Sequence, residues 1–100
     1  MTYRDYQGQA IRLPTERLAH IYEAHEYMMG LEWAIRQSLE EPEEVRRSTS
    51  DRERVRLYYR RFGGTVIKGK YVCVVVKVQD DDAFVLTAYI TGNIKRGEPA

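Results

Sequence analysis

The sequence predicts an α+β domain: two N-terminal helices packed on one face of a three- to four-stranded antiparallel meander. Three observations predict it. Apolar residues recur at helical spacing from Leu18 to Leu39, the spacing changes to a period of two from Arg54 onward, and the strand-like stretches are joined by short connections. At 100 residues the chain makes one domain with one modest core. Residues 1–10 are polar, contain Gly8 and read as a flexible arm; 11–92 form the domain; 93–100 are a polar tail.

Ile11 to Leu13 read as a short edge strand, and Pro14 then sets up the first helix. Thr15 serves as N-cap with Glu16 in the first turn, and Leu18, Ile21, Tyr22, His25, Met28 and Met29 form one stripe until Gly30 stops the helix. A second stripe, Leu31, Ala34, Ile35, Ser38 and Leu39, runs to Glu41 and ends before Pro42. The two helices therefore meet at a Gly30 corner.

Glu44 to Thr49 is a short strand, followed by a charged turn at Ser50 to Glu53. In the next strand, Arg54 to Phe62, alternation sets Val55, Leu57 and Tyr59 toward the core and Arg54, Arg56, Tyr58 and Arg60 outward. Gly63-Gly64 reads as a flexible hairpin. Tyr71 to Val78 turns Val72, Val74, Val76 and Val78 inward, leaving Tyr71, Cys73, Val75 and Lys77 outward. After an Asp80 to Asp82 turn, Ala83 to Thr91 directs Phe84, Leu86, Ala88 and Ile90 inward and Val85, Thr87, Tyr89 and Thr91 outward.

Several functions are disfavoured by composition. No apolar run exceeds about six residues, far from the roughly 20 that span a bilayer, and the start does not resemble a signal peptide. A single Cys73 forms no internal disulfide and fits packing better than nucleophilic chemistry. A reducing cytoplasm is the expected compartment. Charge is divided along the chain: residues 1–45 hold four Arg against nine acidic groups, whereas residues 46–61 hold seven Arg against Asp51 and Glu53. Acidic helices pairing with a basic sheet would account for part of this, but seven arginines on one strand and its approach also suit a polyanion. Guanidinium groups interleaved with Tyr58 fit single-stranded RNA, since Arg forks onto phosphate and Tyr stacks under an unpaired base.

With these elements in place, five short motifs stand in order: Glu16-Arg17 to His20-Ile21 to His25, Pro42 to Ser48, Arg56-Leu57-Tyr58-Tyr59, Val74 to Val78, and Thr87 to Thr91. Together they resemble a small phage and bacterial nuclease-like family within the group uniting barnase, EndoU, colicin-type and RelE-type ribonucleases, the BECR fold. The likeness covers roughly residues 11–98. It implies two helices before a four-stranded antiparallel sheet, and metal-independent RNA cleavage with no cofactor. In that chemistry a ribose 2′-hydroxyl attacks the adjacent phosphate, which calls for a base, an acid and cationic or hydroxyl donors. A small nuclease of this class would harm its own cell, so a protein inhibitor or a toxin and antitoxin arrangement is expected. The alternative is a catalytically silent RNA-binding or protein-interaction module of the same fold.

His20 and His25 lie about 140° apart around a helix, so no shared metal site is expected. His20, opposite the apolar stripe, is either a proton-transfer group or a solvated histidine; His25, on the stripe, is either catalytic or a hydrogen-bonded core histidine. Arg46 is the better phosphate ligand of the Arg46-Arg47 pair, and Arg56 is the mid-strand clamp unless it pairs with helix acids. Lys77 interrupts the valine run and would neutralise charge or project into solvent. Thr87 and Tyr89 complete the catalytic set as hydroxyl donors or are ordinary strand residues. RNA contacts are expected from Arg54, Tyr58, Arg60, Tyr71 and Thr91. Asp80 to Asp82 match no metal-ligand spacing.

Overall fold

In the computed structural model, which describes residues 1–94 and the backbone of Glu98–Pro99, helices and strands alternate more than the sequence suggests. The elements are β1 (Thr2–Arg4), β2 (Ala10–Arg12), α1 (Thr15–Ala24), α2 (Glu32–Glu40), β3 (Glu44–Arg47), β4 (Val55–Arg61), α3 (Gly64–Ile67), β5 (Tyr71–Gln79), β6 (Asp82–Thr91) and β7 (Glu98–Pro99). Six strands and the two-residue β7 form one sheet in the order β1-β2-β6-β5-β4-β3-β7. The α+β class holds, but the sheet is larger than three or four strands and is mixed, because β2 runs parallel to β6 through Arg12 and Phe84. No helix among the described residues is long and apolar enough to cross a membrane.

The N-terminal residues are a hairpin rather than a flexible arm. Thr2, Tyr3 and Arg4 pair with Arg12, Ile11 and Ala10, and Asp5 Oδ1 accepts the Gln7 and Gln9 amides at 2.9 Å to close the turn. Two bonds to α2 then anchor the hairpin: the Tyr3 hydroxyl donates to a Glu32 carboxylate, and the Tyr6 amide donates to the Leu39 carbonyl. At the other end, Ile94 packs on the sheet and the backbone of Glu98–Pro99 pairs with Arg47 and Arg46 of β3, so part of the expected polar tail joins the fold. The remainder of that tail lies outside the described residues.

Pro14, not Thr15, takes the cap position of α1, with extended backbone that lets its carbonyl accept from Arg17 and Leu18. The helix stops five residues earlier than its apolar stripe suggests. His25 leaves helical geometry at φ −138°, a 3-10 turn covers Glu26–Met28, and Gly30 at φ +81° redirects the chain into α2. Ile21, Met28, Leu31, Ala34, Ile35 and Leu39 thereby reach one core with Val72, Val74, Val76, Val85 and Ala88 of the sheet. Burying each such valine or leucine contributes on the order of 1.5–3 kcal/mol.

Two departures in the strands change the surface. In β4, Tyr58 is 1% exposed and sits in the helix-covered core beside Val45 and Val74, whereas Leu57 and Tyr59 join Cys73 in a second cluster on the opposite face. The inferred orientation of β4 is thus reversed. Both faces of this strand carry large side chains, so alternation alone does not say which one meets the helices. In β6 a bulge shifts the register with β5 between Val75 and Val76. It directs Val85 inward and Phe84 outward, opposite to simple alternation, while Thr87, Tyr89 and Thr91 still face outward and Ala88 and Ile90 inward. The Gly63-Gly64 break is no flexible hairpin, since Gly64–Ile67 forms a helical turn that closes with Lys68 at φ +57° and Gly69 at φ +76°.

Candidate functional site

Register places the sheet residues opposite the helices in rows. Thr87, Val75, Leu57 and Arg46 form one row across β6, β5, β4 and β3; Tyr89, Cys73, Tyr59 and Glu44 form the next; Phe84, Lys77 and Val55 lie beyond the first. Strands stand about 4.8 Å apart, so Thr87 and Arg46 are roughly 14 Å apart at the backbone. This face is mainly apolar and aromatic. A groove of about 440 Å³ runs over Val55, Leu57, Val75, Leu86 and Thr87, and on the same face Lys77 stands opposite Phe84 and Val55.

The arginines expected on it are elsewhere. Arg56 and Arg60 share the helix side with Tyr58, so Arg56 and Lys77, on opposite faces, cannot hold one phosphate. Arg60 donates to the Glu41 carbonyl at 2.7 Å and stacks 5.5 Å from the Phe62 ring, closing the end of α2. Its Nε is buried without a hydrogen-bond partner. Tyr58 is too buried to stack under a base. Arg54 belongs to the turn before β4, exposed, with its carbonyl accepting the Val78 amide. Arg46 faces outward as expected, but Nε and Nη2 both donate to Glu44 Oε2 at 2.9 Å.

His20 is 70% exposed on α1, 3.9 Å from Glu23, in a hollow lined by Glu16 and Arg17. Being on the solvent side of the helix, it does not reach the other candidates. Thr91 Oγ1 donates to the Asn93 carbonyl and turns the chain. Tyr71 lies edge-on to Tyr59 with the Arg61 guanidinium 5.3 Å from its ring.

One pair of expected residues does meet. Because α1 ends early, His25 drops to the edge of β6, where its ring centroid is 5.8 Å from that of Tyr89. Tyr27, unflagged in the sequence, completes the group: its hydroxyl lies 3.2 Å from His25 Nδ1 and 3.4 Å from the Ile90 amide, which donates to it. Tyr27 also forms one wall of a cleft of about 290 Å³ whose other walls include Val66, Ile67, Lys68, Lys70 and Ile90. Sequence signals for Tyr27, Lys68 and Lys70 existed. Tyr27 is two positions from His25, and Lys68-Gly69-Lys70 is a tight turn flanked by cations. Burial first, then charge interaction and hydrogen bonding with Cys73, raises the Tyr89 phenol above its ordinary value, so it stays a neutral hydroxyl.

The site can therefore offer an imidazole, two phenols and two exposed ammonium groups at one edge of the sheet. No group of three His, Cys, Asp or Glu side chains among the described residues could hold a metal ion. No protein-family model, curated protein or solved structure matches the chain.

Proposed function

We propose that the chain is an RNA-binding domain of metal-independent ribonuclease type whose reacting group is the His25 imidazole at the β6 edge. The observation that carries this reading is the 3.2 Å contact between His25 Nδ1 and the Tyr27 hydroxyl, held against Tyr89 and beside Lys68 and Lys70. The resemblance to the barnase and RelE group supports the same chemistry.

In the reactive tautomer the hydrogen sits on Nδ1 and is donated to the Tyr27 oxygen, which also accepts from Ile90. Nε2 then carries the lone pair and takes the proton of a ribose 2′-hydroxyl. The 2′-oxygen forms a bond to phosphorus, the bond from phosphorus to the 5′-oxygen breaks, and the imidazolium returns the proton to that 5′-oxygen. The Tyr27 hydroxyl hydrogen and the two lysines face the charge that builds on the phosphorane. Tyr27 and Tyr89 offer ring faces to a flanking base.

The test is incubation of labelled single-stranded RNA with the protein in EDTA. Wild type and the His20→Ala variant should give 2′,3′-cyclic phosphate ends, and His25→Gln should give none. Binding without cleavage would instead mark a silent RNA-binding module, and absence of both would overturn the proposal.

A further inference from the structure

On the helix side of the sheet, β3 and β4 place Arg47 directly opposite Arg56. The Ser48 amide donates to the Val55 carbonyl, so 48 and 55 are a hydrogen-bonded pair. The neighbouring pair, 47 and 56, is then of the non-hydrogen-bonded kind, in which facing side chains stand closest. The two arginine side chains thus leave adjacent strands side by side and line one cleft. Like charges so placed repel, and among the described residues neither arginine makes an ion pair or side-chain hydrogen bond.

The Asp5 carboxylate, on the same side of the sheet, does not relieve this. Asp5 is buried, with Oδ1 accepting the Gln7 and Gln9 amides and Oδ2 accepting the Tyr58 hydroxyl at 2.7 Å. Its oxygens are committed to the hairpin and to the core. What the pair faces is a small cleft of about 170 Å³ closed by Tyr6 and Gln7. Tyr6 is itself fixed, by the hydrogen bond its amide donates to the Leu39 carbonyl and by an edge contact with Tyr58 at 6.2 Å. The walls therefore come from two strands and a pinned turn, which hold a geometry better than free surface side chains do.

We propose that Arg47 and Arg56 form a binding site for a phosphate group, bracketed by the two forks, with the exposed Tyr6 ring beside it to carry an attached base. Each guanidinium can give two parallel hydrogen bonds to a tetrahedral oxyanion, a match that a lone lysine does not make. The site stands on the face of the sheet opposite to Tyr89 and shares no residue with the His25 edge. Its existence does not depend on cleavage at that edge. The phosphate could belong to an RNA backbone or to a small phosphorylated molecule, and the test separates the two.

The experiment is a two-dimensional NMR titration of the full chain with inorganic phosphate, following the Arg side-chain Nε–H signals and the Tyr6 amide. Saturable shifts at Arg47, Arg56 and Tyr6 are expected. Arg47→Gln and Arg56→Gln should each weaken binding about tenfold or more, the loss of charge-assisted hydrogen bonds. Arg47→Lys, which keeps the charge and the fold but not the fork, should fall between. Arg36→Gln, which removes an exposed cation on α2 that lies 3.7 Å from Glu40, should leave binding unchanged. A second titration with oligouridylate assigns the source: tighter binding than phosphate at the same three residues indicates a nucleic-acid backbone, and saturation by phosphate alone indicates a small ligand. Shifts that never saturate, or that persist unchanged in Arg47→Gln and Arg56→Gln, overturn the proposal.

Discussion

Tyr58 donates its phenolic hydrogen to Asp5 Oδ2 at 2.7 Å, joining the N-terminal hairpin to the middle of β4 inside the main core. The bond spans 53 residues of sequence and links a buried carboxylate to a buried phenol. Because the same carboxylate also closes the turn at Gln7 and Gln9, one side chain holds three donors.

Removing the phenolic hydroxyl leaves Asp5 Oδ2 buried without its donor. Tyr58→Phe should therefore lower stability by about 1–3 kcal/mol, and Asp5→Ala by more, since it also frees two amides. Urea unfolding monitored by circular dichroism checks both. A Tyr58→Phe midpoint equal to wild type would mean that the bond contributes nothing net.

Alkaline pH acts on the same group. The Tyr58 phenol is raised above its ordinary value, first by burial and then by Asp5, and Tyr89 is raised first by burial and then by Cys73. The unfolded chain releases these protons near pH 10 while the folded chain retains them. Their stabilising contribution is thus complete below about pH 10 and is lost as pH rises through the folded values. Tyrosinate absorbance in the native protein should show a late-ionising fraction among the eight tyrosines, and the urea midpoint should fall steeply in that range. Simultaneous titration of all eight near pH 10 would contradict the burial seen here.

The second cluster is a core in its own right although it lies opposite the helices. Leu57, Tyr59 and Cys73 are each at most 7% exposed, with Val55, Tyr71, Val75, Tyr89 and Ile94 around them. Leu57→Ala should cost about 2–5 kcal/mol, whereas Arg54→Ala in the exposed turn should stay within about 0.5 kcal/mol. Cys73 should react with a thiol reagent only as fast as the chain opens, and a Leu57→Ala background should accelerate it.

Gly30 holds φ +81° with open space where a Cβ would stand. Any cost of Gly30→Ala is then conformational, roughly 1–2 kcal/mol for a left-handed alanine. Gly63, whose φ is −80° and which also faces open space, should tolerate alanine with a change of less than about 1 kcal/mol. Thermal or urea unfolding of the two variants separates a strained corner from an ordinary connection.

Periodicity and turn residues suffice for the class, the order of the two long helices, the Gly30 corner and the inward face of β5. Val72, Val74, Val76 and Val78 are apolar at every second position against mixed neighbours, and a helix-covered central strand needs that pattern whatever surrounds it. The sequence also singles out His25 and Tyr89 separately. Three things were decided only in the folded chain. The orientation of β4 was one: Tyr58 and Tyr59 are equivalent as residue types, Arg56 and Arg60 have long apolar stems that tolerate the margin of a core, and only register with β3 and β5 selects the face. The bulge in β6 was another, since one extra residue exchanges the faces of Phe84 and Val85, and no residue near Leu86 announces it. The last was the meeting of His25, Tyr27 and Tyr89, which requires α1 to end at Ala24 although its apolar stripe continues to Met29. Helical periodicity is a property of neighbours three and four apart; where a helix stops against a sheet edge is set by contacts more than sixty residues away.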